Sequence, residues 1–346
     1  MSQPGTKARE HIQRALRAFL ASALALLPPV LWETARAADS SQHQADDDTH
    51  VSLTLDNDFF AGYDQHYTNG FQIAFSPRRE SLPEAIRSLP PFRWSAEPRY
   101  TFAIGQRIYT PNDKTLTVPD PLDRPYAGWL YALVDVRTKT GPVVDSVQAS
   151  LGVIGPASHA QQTQNGYHRL IGSQQAQGWD SQLDNKLGLL LGYERMWPKL
   201  MTGKLAGLDL DVTPRAGATV GNVYTYANAG GVIRLGRNLP DDFPLTNISL
   251  GPPRDGYRPS QGTPFGWYAW LGTDARAVGW NAFLDPDTSA EGPGIKRKPL
   301  GLDLQLGAAV VWGKSRVGFT FVRRSKEFET QAKPDNFGQL SVSFAF

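Results

Sequence analysis

His168 is the side chain of this sequence best suited to moving a proton near neutral pH. It lies in Gly155–Leu187, a stretch broken by Gly155-Pro156, Asn165-Gly166, Gly172 and Gly178-Trp179, so no plain strand runs through it. Two other stretches concentrate polar groups. Asp56-Asn57-Asp58-Phe59-Phe60-Ala61-Gly62 leads into His66-Tyr67-Thr68-Asn69-Gly70, and Gln106–Gly128 contains Asp120-Pro121-Leu122-Asp123-Arg124-Pro125-Tyr126. One His, one Asp, an amide and a hydroxyl brought to one place would suit hydrolysis, with the imidazole taking a proton from water. The Asp and carbonyl-type oxygens would suit a hard cation such as Ca²⁺. Each group also has an ordinary role. A lone His is often a structural hydrogen-bonder, Asp56–Asp58 reads as a solvated strand end or Asx-turn, and Arg124 reads as a loop brace on Asp120 or Asp123. Ser158 and Ser173 are near His168 but outside any Gly-x-Ser-x-Gly elbow. This favours direct attack by water over an acyl-enzyme.

What must position these groups is a run of strands. The C-terminal Leu340-Ser341-Val342-Ser343-Phe344-Ala345-Phe346 places its apolar residues on one face and small or polar residues on the other. The same period of two recurs along the chain and gives about twelve strands: 50–58, 67–77, 99–110, 126–138, 144–154, 187–197, 205–216, 222–235, 265–280, 300–313, 315–325 and 336–346. Each is near the length of a tilted membrane strand, and an even number suits a bacterial barrel. The expected fold is therefore all-β, a transmembrane up-and-down antiparallel barrel with short helical segments in its loops. A terminal Phe on the last strand fits the same class. With both termini in the periplasm, the connections after the odd-numbered strands face outward, and all three polar stretches fall at one rim. Asp58 and Thr68 are in phase with the lumen-facing residues of their strands, so both are expected to point inward. Two connections on the other side, Pro77–Tyr100 and Gly236–Pro264, are long for periplasmic turns. Leu82–Leu89 would form a small helix in the first of them.

Composition sets limits. Lys7, Arg9, Arg14 and Arg17 precede an apolar Ala18–Leu31, and Ala35-Arg36-Ala37 fits a cleavage site, so residues 1–37 read as a signal peptide and 38–346 as one barrel domain. Residues 1–37 hold five Lys/Arg and two Asp/Glu. Of the 35 and 33 in the whole chain, 30 and 31 remain, a formal charge of −1, which argues for no nucleic-acid partner. The absence of Cys excludes disulfides, thiol catalysis and thiolate zinc sites. No apolar run reaches the length of a transmembrane helix.

The order of the motifs adds a resemblance. Asn57-Asp58-Phe59-Phe60, Tyr67-Thr68-Asn69-Gly70, Asp123-Arg124-Pro125-Tyr126-Ala127-Gly128-Trp129, Gly152-Val153-Ile154-Gly155-Pro156, Gln164-Asn165-Gly166-Tyr167-His168-Arg169-Leu170-Ile171-Gly172 and Gly178-Trp179-Asp180-Ser181-Gln182-Leu183 resemble the lipid A 3′-O-deacylase family of Gram-negative outer membranes (the LpxR type). The motifs span roughly Leu53–Arg195. The resemblance implies a twelve-stranded outer-membrane barrel that hydrolyses the ester carrying the 3′-acyloxyacyl chain of lipopolysaccharide lipid A, with Ca²⁺ required. It implies His168 as the general base, Asn57 and Asp58 at the oxyanion and metal site, and Thr68 as a site threonine. Lys114 is the nearest match to a family lysine. The family pattern has a Glu six residues past its His, where this chain has Gln174. A Gln coordinates through its carbonyl oxygen without adding charge, so weaker metal binding is expected unless Asp180 or Asp56 substitutes. Two alternatives remain on the residues alone: an outer-membrane phospholipase using Ser and His, and a non-catalytic barrel serving as channel or structural protein.

Overall fold

The computed structural model describes residues 48–58, 66–84, 98–240, 265–285 and 295–346. The signal-peptide reading, most of Leu82–Leu89 and most of the second long connection lie outside them. Thirteen strands follow in order: β1 (His50–Asn57), β2 (His66–Ser76), β3 (Arg99–Thr110), β4 (Ala127–Thr140), β5 (Val143–Ile154), β6 (Lys186–Met196), β7 (Met201–Leu205), β8 (Leu208–Gly221), β9 (Tyr224–Arg237), β10 (Phe265–Asn281), β11 (Leu300–Trp312), β12 (Ser315–Arg324) and β13 (Asp335–Ala345). Each pairs antiparallel with its neighbour. β1 pairs with β13 and β6 with β8, which closes a ring of twelve. β7 is the extra strand. It forms a short hairpin with the lower part of β8, turning at Ala206-Gly207, and all five of its residues are exposed. The seventh and eighth strands accordingly begin later than the sequence pattern places them. Among the described residues, no helix is long and apolar enough to cross a membrane.

The alternation of the sequence becomes two wall faces. On β11, Leu300, Leu302, Leu304, Leu306 and Val310 point out and are exposed, while Asp303, Gln305, Ala309 and Val311 point in and are buried. This is the pattern of a barrel bathed by hydrocarbon with a polar interior. The interior is layered along β10. Near its lower end Tyr268 and Trp270 join an apolar cluster with Val144, Met196 and Val311. Higher up, a chain of ion pairs runs from strand to strand: Arg215 to Glu194 (3.4 Å) and Asp274 (3.0 Å), Arg276 to Asp274 (3.1 Å) and Asp303 (2.5 Å), Arg324 to Asp303 (2.7 Å). Charges removed from water must be paired in this way. Just past the upper end of β10, Phe283 stacks on Tyr109 at 4.5 Å and packs with Tyr224, Trp129, Tyr67 and Phe337. This aromatic layer fills the upper mouth, so the lumen is a packed core where a channel would need open space.

The loops at the upper rim are tied to one another. His66 places Nδ1 2.6 Å from Asp335 and Nε2 3.3 Å from Asp123. Arg124, fully buried, pairs with Glu327 at 3.3 Å and lies over the Tyr109 ring at 4.7 Å. The brace foreseen at Arg124 is real, but its side-chain partner is Glu327, far along the chain. Asp123 instead accepts from the main chain of Asn112 and Arg124 and faces His66.

Candidate active site

The site begins where the outer face of the wall stops behaving like a membrane surface. On β3 the outward phase reads Ile104, Gln106, Ile108, Thr110. Ile104 is 59% exposed, yet the next three are buried. What covers them is the connection after β5. It turns through a 3-10 segment at Pro156–Ser158 and then forms helix α1 (Ala160–Ile171). Gln106 Nε2 donates to the Ser158 carbonyl at 2.6 Å, and Ile108 packs with Ala160, Ala176, Trp179 and Tyr126. On β4, Gly128 is what lets the helix come so close. A Cβ at that position would collide with Ser158 Oγ and the Ala160 methyl.

Helix α1 buries a polar face. Gln164 and His168, four residues apart, share one side. Trp179 Nε1 donates to Gln164 Oε1 at 2.9 Å, and Ala176 N donates to Asn165 Oδ1 at 3.1 Å. The helix ends at Gly172, whose left-handed φ of 71° suits a residue without a Cβ. The chain then folds back so that the Gln174 carbonyl lies 2.6 Å from His168 Nδ1. A carbonyl oxygen only accepts, so Nδ1 carries the hydrogen and, in the neutral ring, Nε2 holds the lone pair. His168 is 3% exposed. Lys114 enters the same fold-back through its main chain, accepting from Gln177 N at 3.0 Å.

Asn57 at the end of β1, Asp58 just past it and Thr68 on the adjacent β2 lie at this rim, all buried. The expectation that Thr68 points into the lumen needs correction. In β1 the lumen phase is Thr54 and Asp56, and Asn57 falls in the outward phase. Asp58 lies past the strand in a 3-10 turn, where strand phase no longer applies. In β2 a bulge between Tyr67 and Asn69 inserts Thr68 as an extra residue. Tyr67 stays inward, donating to Asp56 at 2.5 Å, while Thr68 Oγ1 meets Thr110 Oγ1 at 2.6 Å in the outward phase of β3. A bulge of this kind re-aims a side chain. Thr68 is thereby linked through Thr110 and Ile108 to the wall under α1.

Two other candidates stand elsewhere. Asp56 faces the lumen and accepts from Tyr67 and Gln339, so it does not replace the missing carboxylate. Asp180 is exposed. Gln174 is exposed too, and its observed contribution is the carbonyl that orients His168. Ser158 is fully buried, and its hydroxyl donates to the Gly155 carbonyl at 2.6 Å, an arrangement of a capping group and not of a nucleophile. Among the described residues no group of three His, Asp or Glu side chains stands ready for a metal. Asp58, Asn57 and Thr68 offer hard oxygens with a single carboxylate. This set fits Ca²⁺ completed by carbonyls and water, not an all-carboxylate cage. Gln106, Thr110 and Asn165 were missed as site residues. Gln106 and Thr110 carried a signal: polar types in the membrane-facing phase of a strand.

A comparison with curated proteins gave no match. Among solved structures, LpxR from Salmonella typhimurium superposes with a TM-score of 0.69 at 19% identity, covering 86% of this chain and 100% of that one. The β domain of the Bordetella autotransporter BrkA reaches a TM-score of 0.42 at 10% identity, over 87% of this chain and all of its own. The first likeness shows the fold. The family described as outer membrane protein LpxR matches residues 19–346, nearly the whole sequence, and the chain belongs to this outer-membrane family.

Proposed function

We propose that this protein is a lipid A deacylase of the outer membrane that hydrolyses the ester holding the 3′-acyloxyacyl chain of lipopolysaccharide lipid A. The observation that carries the reading is His168, buried on the wall-facing side of α1, its Nδ1 fixed by the Gln174 carbonyl. His168 Nε2 takes a proton from water as the water oxygen attacks the ester carbonyl. The Asn57 amide donates to the oxyanion that forms, and Thr68 with Thr110 positions the attacking water. Collapse breaks the bond between the acyl carbon and the sugar oxygen. The proton on Nε2 passes to that oxygen, leaving a 3′-hydroxyl and a free acyloxyacyl acid. Asp58 would hold Ca²⁺, which supplies Lewis-acid polarisation of the carbonyl when bound. The polar rim faces the outer leaflet in this reading, where lipid A resides. The filled lumen speaks against a channel, and the engaged hydroxyl of Ser158 against a serine hydrolase.

The test is expression in a Gram-negative host with unmodified lipid A, followed by mass spectrometry of the lipid A with and without EDTA. Loss of one acyloxyacyl group, suppressed by EDTA, is the expected result. Unaltered lipid A with the barrel folded in the outer membrane would refute the assignment.

A further inference from the structure

The chain of ion pairs in the lumen ends at the upper rim on an unanswered group. Arg324 gives Nε and Nη2 to Asp303 at 3.0 and 2.7 Å. Its third nitrogen, Nη1, is buried and meets no partner, and the residue is 1% exposed. A guanidinium only donates, so this edge calls for an acceptor that the chain does not supply. Arg324 lines a pocket of about 20 Å³, enough for one occupant the size of a water molecule. The pocket lies where β10, β11 and β12 end, six strands round the ring from β3 and β4 and thus across the barrel from α1.

Its walls are cationic. Arg276, Arg297 and Lys298 line it with Arg324, against the single carboxylate of Glu327. These charges do not cancel. The chain of pairs from Glu194 to Arg324 balances within itself. Arg297 holds Asp285 at 2.8 Å, and Glu327 is taken by Arg124. Lys298 pairs with no carboxylate among the described residues. Its main-chain N–H donates to the Glu327 carbonyl at 2.7 Å, which fixes the residue beside the pocket. Gly301 keeps the space open, since a Cβ there would stand 3.6 Å from Arg276 Nε.

We infer that this pocket is a halide site, holding one anion of chloride size that accepts from Arg324 Nη1 and balances the charge of Lys298. Water fits the space and accepts the same bond, but it leaves an ammonium uncompensated beside three guanidiniums. Phosphate has the charge and exceeds the space. The anion ties the end of β12 to the Arg297-Lys298 segment ahead of β11, bracing this half of the mouth. The site goes beyond the proposed deacylase chemistry, which stands on the opposite wall.

The test is anomalous X-ray diffraction at the bromine edge from crystals of the folded barrel grown in sodium bromide. One bromide peak within hydrogen-bond reach of Arg324 Nη1 is expected. In detergent, the unfolding midpoint, read by gel mobility, should rise with chloride at an ionic strength held constant with gluconate, and not with phosphate. Lys298→Gln removes the charge and leaves the space; Gly301→Ala fills the space and leaves every charge. Each should raise the half-saturating chloride concentration about tenfold, while Lys298→Arg keeps the wild-type value. Water alone in the pocket with bromide ordered elsewhere, an equal response to phosphate, or a half-saturating concentration unchanged in folded Lys298→Gln protein would overturn the site.

Discussion

The two sides of this barrel obey one pattern and end differently. On β10 to β12 the outward phase is mostly apolar and stays exposed up to the rim, as in Val317, Phe319 and Phe321. On β1 to β3 the same phase starts apolar and turns polar and buried near the rim, at Asn57, Thr68, Gln106 and Thr110. Inside, the contrast is reversed. Ion pairs and aromatic layers fill the lumen and hold the shape, while the proposed site stands outside on a patch of wall roofed by a helix. A polar group facing a bilayer is costly, so a local run of such groups marks a place where something other than lipid is meant to sit.

If lumen and outer wall divide the labour in this way, changes on each side should have separate consequences. The largest effect is expected in the lumen. Arg234 holds Asp211 through two bonds of 2.9 and 2.6 Å, both residues buried. Arg234→Leu leaves that carboxylate unpaired and should cost about 3–5 kcal/mol, read by urea titration of the refolded barrel, while the folded fraction keeps its specific activity. Gly128→Leu should do the opposite. It pushes α1 off the wall through Ser158 and Ala160, lowering kcat by about 10²-fold with little change in barrel stability. Equal loss of both properties in either variant would break the comparison.

Smaller effects sharpen it. Asn165→Ala removes the acceptor of Ala176 N and loosens the fold-back that carries the Gln174 carbonyl, so kcat should drop about tenfold with KM nearly constant, a change of about 1.4 kcal/mol. Acidification should act on the rim loops alone. Burial pushes the Asp123 carboxyl up, but its bonds from His66 and from the main chain of Asn112 and Arg124 outweigh this and hold it below its ordinary range. Burial likewise raises Glu327, and the charges of Arg324 and Arg124 lower it further than burial lifts it. For depressed carboxylates the stabilisation is complete above the ordinary carboxylate range and is lost as pH falls through the folded value. Protease nicking at 111–126 and 325–334 should therefore rise below about pH 4 while the strands remain protected. Nicking independent of pH would contradict the role given to these two groups.

Most of the strand order was legible because a wall with lipid on one side and packed side chains on the other enforces a period of two. The exceptions have physical causes. β7 lacks a buried face, so its five residues carry no alternation to read. Helix α1 was hidden because the side it buries is Gln164 and His168, polar types that register in no hydrophobic period. Thr68 was assigned to the wrong face because one extra residue at the Tyr67/Asn69 bulge reverses the phase, and nothing in the local sequence announces a bulge. His168 and Asn57-Asp58 stood out in the sequence as polar clusters, and their proposed roles came from the order of the motifs resembling the family. The carbonyl that orients His168 could not be, since any residue at position 174 supplies one.

The central claim is that His168, on the buried side of α1 outside the barrel, is the base. The direct measurement is lipid A mass spectrometry on membranes holding equal amounts of folded wild-type and His168→Ala protein. The account predicts release of the 3′-acyloxyacyl chain by the wild type and a rate lower by about 10²–10⁴-fold in the variant. Release at the wild-type rate by His168→Ala would contradict it.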